Sequence, residues 1–143
     1  MALKQIDYGS KAYEQMVDLR LGILRKPLGL SFLKEELDQD KNDILIAAFD
    51  EEELLGCCIL TPVSTQQIKL RQMAVQKNNQ RKGIGESIIF FAENLARDKG
   101  YKSICMHARD EAIGFYEKFG YTVKGPAFNE VTIQHHLMEK TFL

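Results

Sequence analysis

The sequence holds no tryptophan, only three cysteines and only three prolines in 143 residues. Three cysteines cannot supply the paired framework of a disulfide-built scaffold. Cys57 and Cys58, neighbours in an apolar run, would project to opposite faces of a strand. None of the cysteines or histidines shows a short paired spacing such as C-x-x-C, so no metal site is expected. No apolar run approaches the roughly 20 residues that cross a bilayer. The opening residues, Met1-Ala2-Leu3-Lys4-Gln5, also lack an apolar export segment. These absences point to a reducing, cytoplasmic setting with no membrane partner. Charge of one sign is missing too, since 19 Lys plus Arg face 20 Asp plus Glu. A net charge of −1 gives no broad positive field, and Lys77, Arg81 and Lys82 come without a series of stacking aromatics. A nucleic-acid partner is therefore not expected.

What is present suits a packed core, with 45% hydrophobic and 27% charged residues. No repeat, low-complexity stretch or flexible linker divides the chain, so one domain over residues 1–143 is expected. Residues 3–8 read as a strand, and Ser10 can cap a helix through residue 25, because Tyr13, Met16, Val17, Leu21 and Leu24 recur near helical spacing. Pro27 and Gly29 break it, and Ser31 is positioned to cap a short second helix. Apolar runs at 44–49 and 54–60 flank the polar Asp50-Glu51-Glu52-Glu53 as a β-hairpin, and residues 67–75 add a third strand. In that strand, regular alternation places Ile68, Leu70, Gln72 and Ala74 on one face and Lys69, Arg71, Met73 and Val75 on the other. Residues 84–99 carry a helical stripe of Ile84, Ile88, Phe91 and Leu95, closed by Gly100. A strand at 102–107, a helix at 110–119 and antiparallel strands at 121–124 and 131–139 complete the order. The fold class is thus α/β, a mixed, mostly antiparallel sheet of six or seven strands flanked by about four helices.

The most informative connection is Val75-Gln76-Lys77-Asn78-Asn79-Gln80-Arg81-Lys82-Gly83-Ile84-Gly85-Glu86, which joins a strand to the start of the strongest helix. A helix N-terminus offers unpaired N–H groups and positive dipole, a natural seat for a diphosphate. Gly83 and Gly85 leave room for its approach, and Arg81 and Lys82 add charge. A dinucleotide fingerprint fails because its third glycine would fall on Ile88, and a Walker loop fails because the lysine precedes the glycine. An ordinary glycine-containing loop would carry the same residues. The remaining pattern, Gln/Arg-x-x-Gly-x-Gly/Ala, is met by Gln80, Gly83 and Gly85 and resembles the acetyl-CoA pyrophosphate loop of the GNAT superfamily of N-acetyltransferases.

A second segment, Ala112-Ile113-Gly114-Phe115-Tyr116-Glu117-Lys118-Phe119-Gly120-Tyr121, resembles another motif of the same superfamily and follows the first in the family's order. The resemblance implies the GNAT fold over nearly the whole chain and acetyl transfer from acetyl-CoA to an amine through a ternary complex. It gives Tyr116 the role of general acid toward the departing sulfur. It gives Met73, Ala74 and Val75 backbone contacts to the pantetheine arm, with an N–H near Val75 polarising the thioester. It assigns the diphosphate to backbone groups of Arg81, Lys82, Gly83, Ile84, Gly85 and Glu86, beside Gln80 and Phe115. Phe119 and Tyr121 read as core aromatics.

Two departures stand out. Some members of the family place a Glu or Asp on the meander strand, but residues 68–74 contain none, which leaves His107, Glu130, His135 and Glu53 as candidate bases. A lysine-like amine is only ~0.04% neutral at pH 7, so a base or water relay is needed unless the acceptor amine is weaker. The pantetheine-contacting Asn of many members is replaced by His107-Ala108-Arg109-Asp110. Arg20, Arg25 and Lys26 are suited either to an anionic acceptor or to a solvated helix face. The acceptor class stays open among protein N-termini, lysines, amino acids, polyamines and aminoglycosides. A homodimer through the final strands, and a noncatalytic acyl-CoA-binding module on the same fold, are compatible alternatives.

Overall fold

A computed structural model describes residues 1–80 and 82–142. Among them seven strands form one sheet: β1 (Ala2–Ile6), β2 (Ile44–Asp50), β3 (Glu53–Pro62), β4 (Gln67–Val75), β5 (Ser103–Arg109), β6 (Thr122–Glu130) and β7 (Ile133–Thr141). They lie in the order β1-β2-β3-β4-β5-β7-β6. The helices are α1 (Lys11–Arg20), α2 (Lys34–Asp38), α3 (Ile84–Asp98) and α4 (Ile113–Glu117). All pairings are antiparallel except β4 with β5. No helix among the described residues is long and apolar enough to cross a membrane.

The continuous apolar runs of β2 and β3 reflect burial on both faces. One face carries Ile46, Cys58, Leu60, Ile68 and Leu70 against Ile84, Ile88 and Ala92 of α3. The other carries Leu45, Cys57 and Ile59 against Tyr13 and Met16 of α1. Cys57 and Cys58 do point to opposite sides. In α3 the fully buried stripe runs through Ile88, Ile89, Ala92 and Ala96, while Phe91 and Leu95 are only half-buried. The Ser10 hydroxyl accepts the Tyr13 N–H at 3.1 Å and caps α1, a contact worth about 1 kcal/mol.

Several elements depart from the sequence-based expectation, and the departures build the site. The helix expected through residue 25 ends as α1 at Arg20 and continues as a wider π-helical turn, Leu21–Arg25. Such insertions recur at functional positions. Leu33, not Ser31, holds the N-cap position of α2, where the Glu36 carboxylate accepts the Leu33 N–H at 3.2 Å. The segment at 110–119 is a 3-10 turn, Asp110–Ala112, followed by the short α4. β6 is longer than residues 121–124, because its pairing with β7 resumes at Phe128 after an irregularity.

The alternation expected along β4 is broken at Gln72, whose φ is 56°. The register against β3 shifts there, the mark of a bulge that reverses the facing of every later residue. Ala74 therefore joins the α1-side core, whereas Met73 and Val75 pack with Ile68 and Leu70 on the α3 side. β4 and β5 pair only from Gln67–Lys69 to Ser103–Cys105 and then part. The middle of the sheet opens into a wedge.

Candidate active site

Two cavities occupy this wedge. The larger, about 670 Å³, is lined by Met73, Ala74 and Val75 of β4, by Lys77, Asn79, Gln80 and Gly85 of the loop into α3, and by Phe115 and Tyr116 of α4. The smaller, about 380 Å³, lies between β4 and β5 and is walled by Lys69, Gln72, His107, Arg109, Glu130 and His135. The π-helical turn closes both through Leu24. Leu24, Met73, Arg109, Ala112 and Tyr116 belong to both linings, so the two spaces meet at α4.

The glycine loop fixes the larger cavity. Gly83 occupies the N-cap of α3 with φ 80°, a conformation that disfavours any side chain. No side chain among the described residues caps this helix, so its first N–H groups remain available. A Cβ on Gly85 would lie 3.1 Å from Cζ of Phe115. The two sequence motifs therefore touch: the second glycine is small because the ring of the second motif rests on it. Gly85→Val should displace Phe115 and raise the KM for acetyl-CoA by at least about tenfold, read from initial rates. An unchanged KM would mean that the ring can yield without cost.

Of the residues expected at the coenzyme, Met73, Ala74, Val75, Gln80, Gly85 and Phe115 line the larger cavity. Lys82, Gly83, Ile84 and Glu86 do not line it. Lys82 and Glu86 are exposed at the helix start, and the Ile84 side chain is buried in the core. Arg81 lies outside the described residues. Gln80 spends its amide on the chain itself, donating to the Val75 carbonyl at 3.0 Å. Sequence reasoning missed Ile23, Leu24, Lys77, Asn79, Arg109, Glu111 and Ala112. Lys77 and Asn79 stood within the motif loop, but only the folded turn shows which of its side chains face inward.

Tyr116 is buried, with its ring set edge-on to Phe115 and Tyr121 at 5.2 and 6.0 Å. Its hydroxyl has no hydrogen-bond partner among the described residues, and no side-chain oxygen there is both fully buried and unpartnered. The hydroxyl therefore opens onto the cavities. Burial raises its pKa above the ordinary phenol value. Tyr121, by contrast, donates to Glu93 at 2.8 Å inside the core, as a structural aromatic should.

In the smaller cavity His107 Nδ1 lies 3.0 Å from Glu130 Oε1 and 3.3 Å from Lys69 Nζ. His135 Nε2 stands 3.9 Å from the other Glu130 oxygen. Three of the four candidate bases thus converge, whereas Glu53 is exposed at the start of β3, away from both linings. The turn that delivers Glu130 and His135 places Val131 and Thr132 at φ 53° and 66°, a strained choice for β-branched residues.

Arg20 and Arg25 are not solvated helix residues. Arg25 is buried, pairs with Glu36 at 2.8 Å and lies 4.2 Å over the Phe32 ring. Arg20, 1% exposed, pairs with the fully buried Asp40 at 2.8 Å. Asp40 also accepts from Tyr13 and Arg71, both at 2.6 Å. Among the described residues no group of three or more Cys, His, Asp or Glu side chains is arranged to hold a metal ion.

The family profile described as "Acetyltransferase (GNAT) domain" matches residues 26–142. The chain belongs to the GNAT acetyltransferase family. It is 29% identical over 114 residues to a probable N-acetyltransferase 14 of Xenopus tropicalis, covering 77% of this chain and 55% of that protein. It spans about half the length of three of the curated relatives it matches. Among solved structures, a putative N-acetyltransferase from Lactobacillus plantarum superposes with a TM-score of 0.85 at 22% identity, over 100% of both chains. An aminoglycoside 6′-N-acetyltransferase complexed with coenzyme A superposes with a TM-score of 0.83 at 20% identity, over 99% of this chain and 97% of that one. These likenesses establish the GNAT fold for this chain, including the seven-stranded sheet and its flanking helices.

Proposed function

We propose that this GNAT protein transfers the acetyl group of acetyl-CoA to an amine, with Tyr116 as the general acid. The observation that carries the reading is the position of Tyr116 in the walls of two adjoining cavities, its hydroxyl unengaged. Acetyl-CoA occupies the larger one. Its diphosphate meets the uncapped start of α3, formed by Gly83, Ile84, Gly85 and Glu86, with Lys82 nearby. Its pantetheine arm runs along Met73, Ala74 and Val75, where β4 has parted from β5 and its backbone groups are free to pair with amides of the arm. Phe115 and Gln80 hold the loop around it.

The acceptor amine enters from the smaller cavity and attacks the thioester carbonyl, forming the N–C bond. Collapse of the tetrahedral intermediate breaks the C–S bond, and the departing sulfur draws a proton from Tyr116. The amine's own proton passes to the His107–Glu130 pair. The His107 ring and the Glu130 carboxylate sit 3.0 Å apart and share that proton between them. Because burial raises the Tyr116 pKa, its loss of the proton lies above the ordinary phenol value of about 10.

The test is release of the CoA thiol from acetyl-CoA across an amine panel. Amine-dependent release is expected, with no fall in kcat from Tyr116 ionisation up to about pH 10. Tight coenzyme binding without turnover of any amine would sink the transferase reading and leave a binding module. The cytoplasm remains the setting we propose.

A further inference from the structure

The charges around the smaller cavity do not cancel. Four cations reach its wall, Arg25, Lys69, Arg71 and Arg109, against two carboxylates, Glu36 and Glu130. Arg25 is neutralised by Glu36. Arg71 is committed to Asp40 and Asp43, at 2.6 and 2.8 Å, neither of which lines the cavity. Glu130 lies 3.0 Å from His107 Nδ1 and stands as one negative charge against the two cations that remain. Lys69 and Arg109 remain, and among the described residues neither forms an ion pair with a carboxylate; Lys69 Nζ lies 3.3 Å from His107 Nδ1. Arg109 gives one N–H to the Leu24 carbonyl at 2.8 Å and faces both cavities, so its charge is shared with the coenzyme side. Lys69 lines only the smaller one. It sits where β4 and β5 are still paired, opposite Cys105, which is the closed end of the wedge.

Positive charge left uncompensated in a recess concentrates anions. We infer that the acceptor is a small amine that also carries an anionic group, a carboxylate or a phosphate, seated on Lys69 with the amine directed toward Tyr116. This rests on the acetyl-transfer reading for the amine; the charge argument concerns binding alone. A polyamine or aminoglycoside would meet Glu36 already committed to Arg25, and two cations, Lys69 and Arg109, against the single carboxylate of Glu130. A cavity of about 380 Å³ suits a metabolite of amino-acid size.

Calorimetric titration of the CoA-loaded protein with matched pairs tests the inference. Amino acids are compared with their amides, phosphoethanolamine with ethanolamine, and spermidine and kanamycin serve as polycations. The anionic member of a pair should bind at least about tenfold more tightly, or roughly 1.4 kcal/mol. The pair with the larger difference identifies carboxylate or phosphate. Lys69→Met should erase the difference, and Lys69→Arg, which keeps the charge, should retain it. The inference is overturned if the amide, ethanolamine or a polycation binds better, if no anionic amine binds, or if Lys69→Met keeps the preference. Thiol release, followed separately, tells the two readings apart. Anion-dependent binding without acetylation removes the transferase and spares this inference, while acetylation with no anion preference does the reverse.

Discussion

Tyr116→Phe is expected to lower kcat by about a hundredfold or more, the usual scale for losing a positioned proton donor. The dissociation constant for acetyl-CoA should stay within about twofold, because the variant keeps the ring and discards one oxygen. That oxygen has no partner among the described residues, so its removal strands no donor or acceptor there. The edge-on contacts with Phe115 and Tyr121 belong to the ring and persist. A rate loss therefore cannot be attributed to unfolding, which thermal melting of the variant would verify. Single-turnover thiol release measures the chemical step. Retention of a third or more of the parent rate there would remove Tyr116 from the chemistry and assign proton donation to water.

The largest stability effect should follow Asp40→Asn. Asp40 is fully buried and gathers the Tyr13 hydroxyl, Arg20 and Arg71 around one carboxylate. Burial alone would raise its pKa, but the hydrogen bonds and charges of Tyr13, Arg20 and Arg71 outweigh that, and the carboxyl is held below its usual value. Asn leaves the buried Arg20 guanidinium without its counter-charge, a change that costs about 3–5 kcal/mol. That is a large share of the roughly 5–15 kcal/mol of a typical domain. Urea denaturation at neutral pH measures it, and a loss below about 1 kcal/mol would show that solvent reaches the arginine after all.

The sign with pH follows from linkage. A carboxyl whose folded pKa is depressed contributes stability that is full above its unfolded value, about 3.9, and is lost as pH falls through the folded value. The parent should therefore lose stability in acid more steeply than Asp40→Asn. The acceptor KM should rise in the variant as well, because Arg71 forms part of the cavity wall and Asp40 fixes its position.

The residues that could be read early are those whose role depends on local chemistry. Gly83 and Gly85 mark an uncapped, close-packed helix start because backbone conformation and small size are properties of single positions. The order of strands and helices was legible from periodicity, since β2 and β3 are buried on both faces and α3 on one. Tyr116 could be singled out by its place in a motif, but its open hydroxyl could not, because openness depends on what surrounds it. The bulge at Gln72 was invisible: a polar residue in an alternating strand leaves no compositional trace of a positive φ. Missing it put Ala74 on the wrong face. For Arg20 and Arg25 the sequence leaves an anion-holding wall and a solvated helix face equally open, and only the distant Asp40 and Glu36 make their burial tolerable.

Sequence alone determined the fold class and the two motifs that carry the family likeness, because helix termini, glycine positions and apolar periodicity are written in neighbouring residues. Tertiary structure alone decided how β4 leaves β5, which candidate bases gather on Glu130, and that Lys69 has no carboxylate ion pair among the described residues. Those facts join residues far apart in the chain, and their physical cause is a strand divergence that no local pattern encodes.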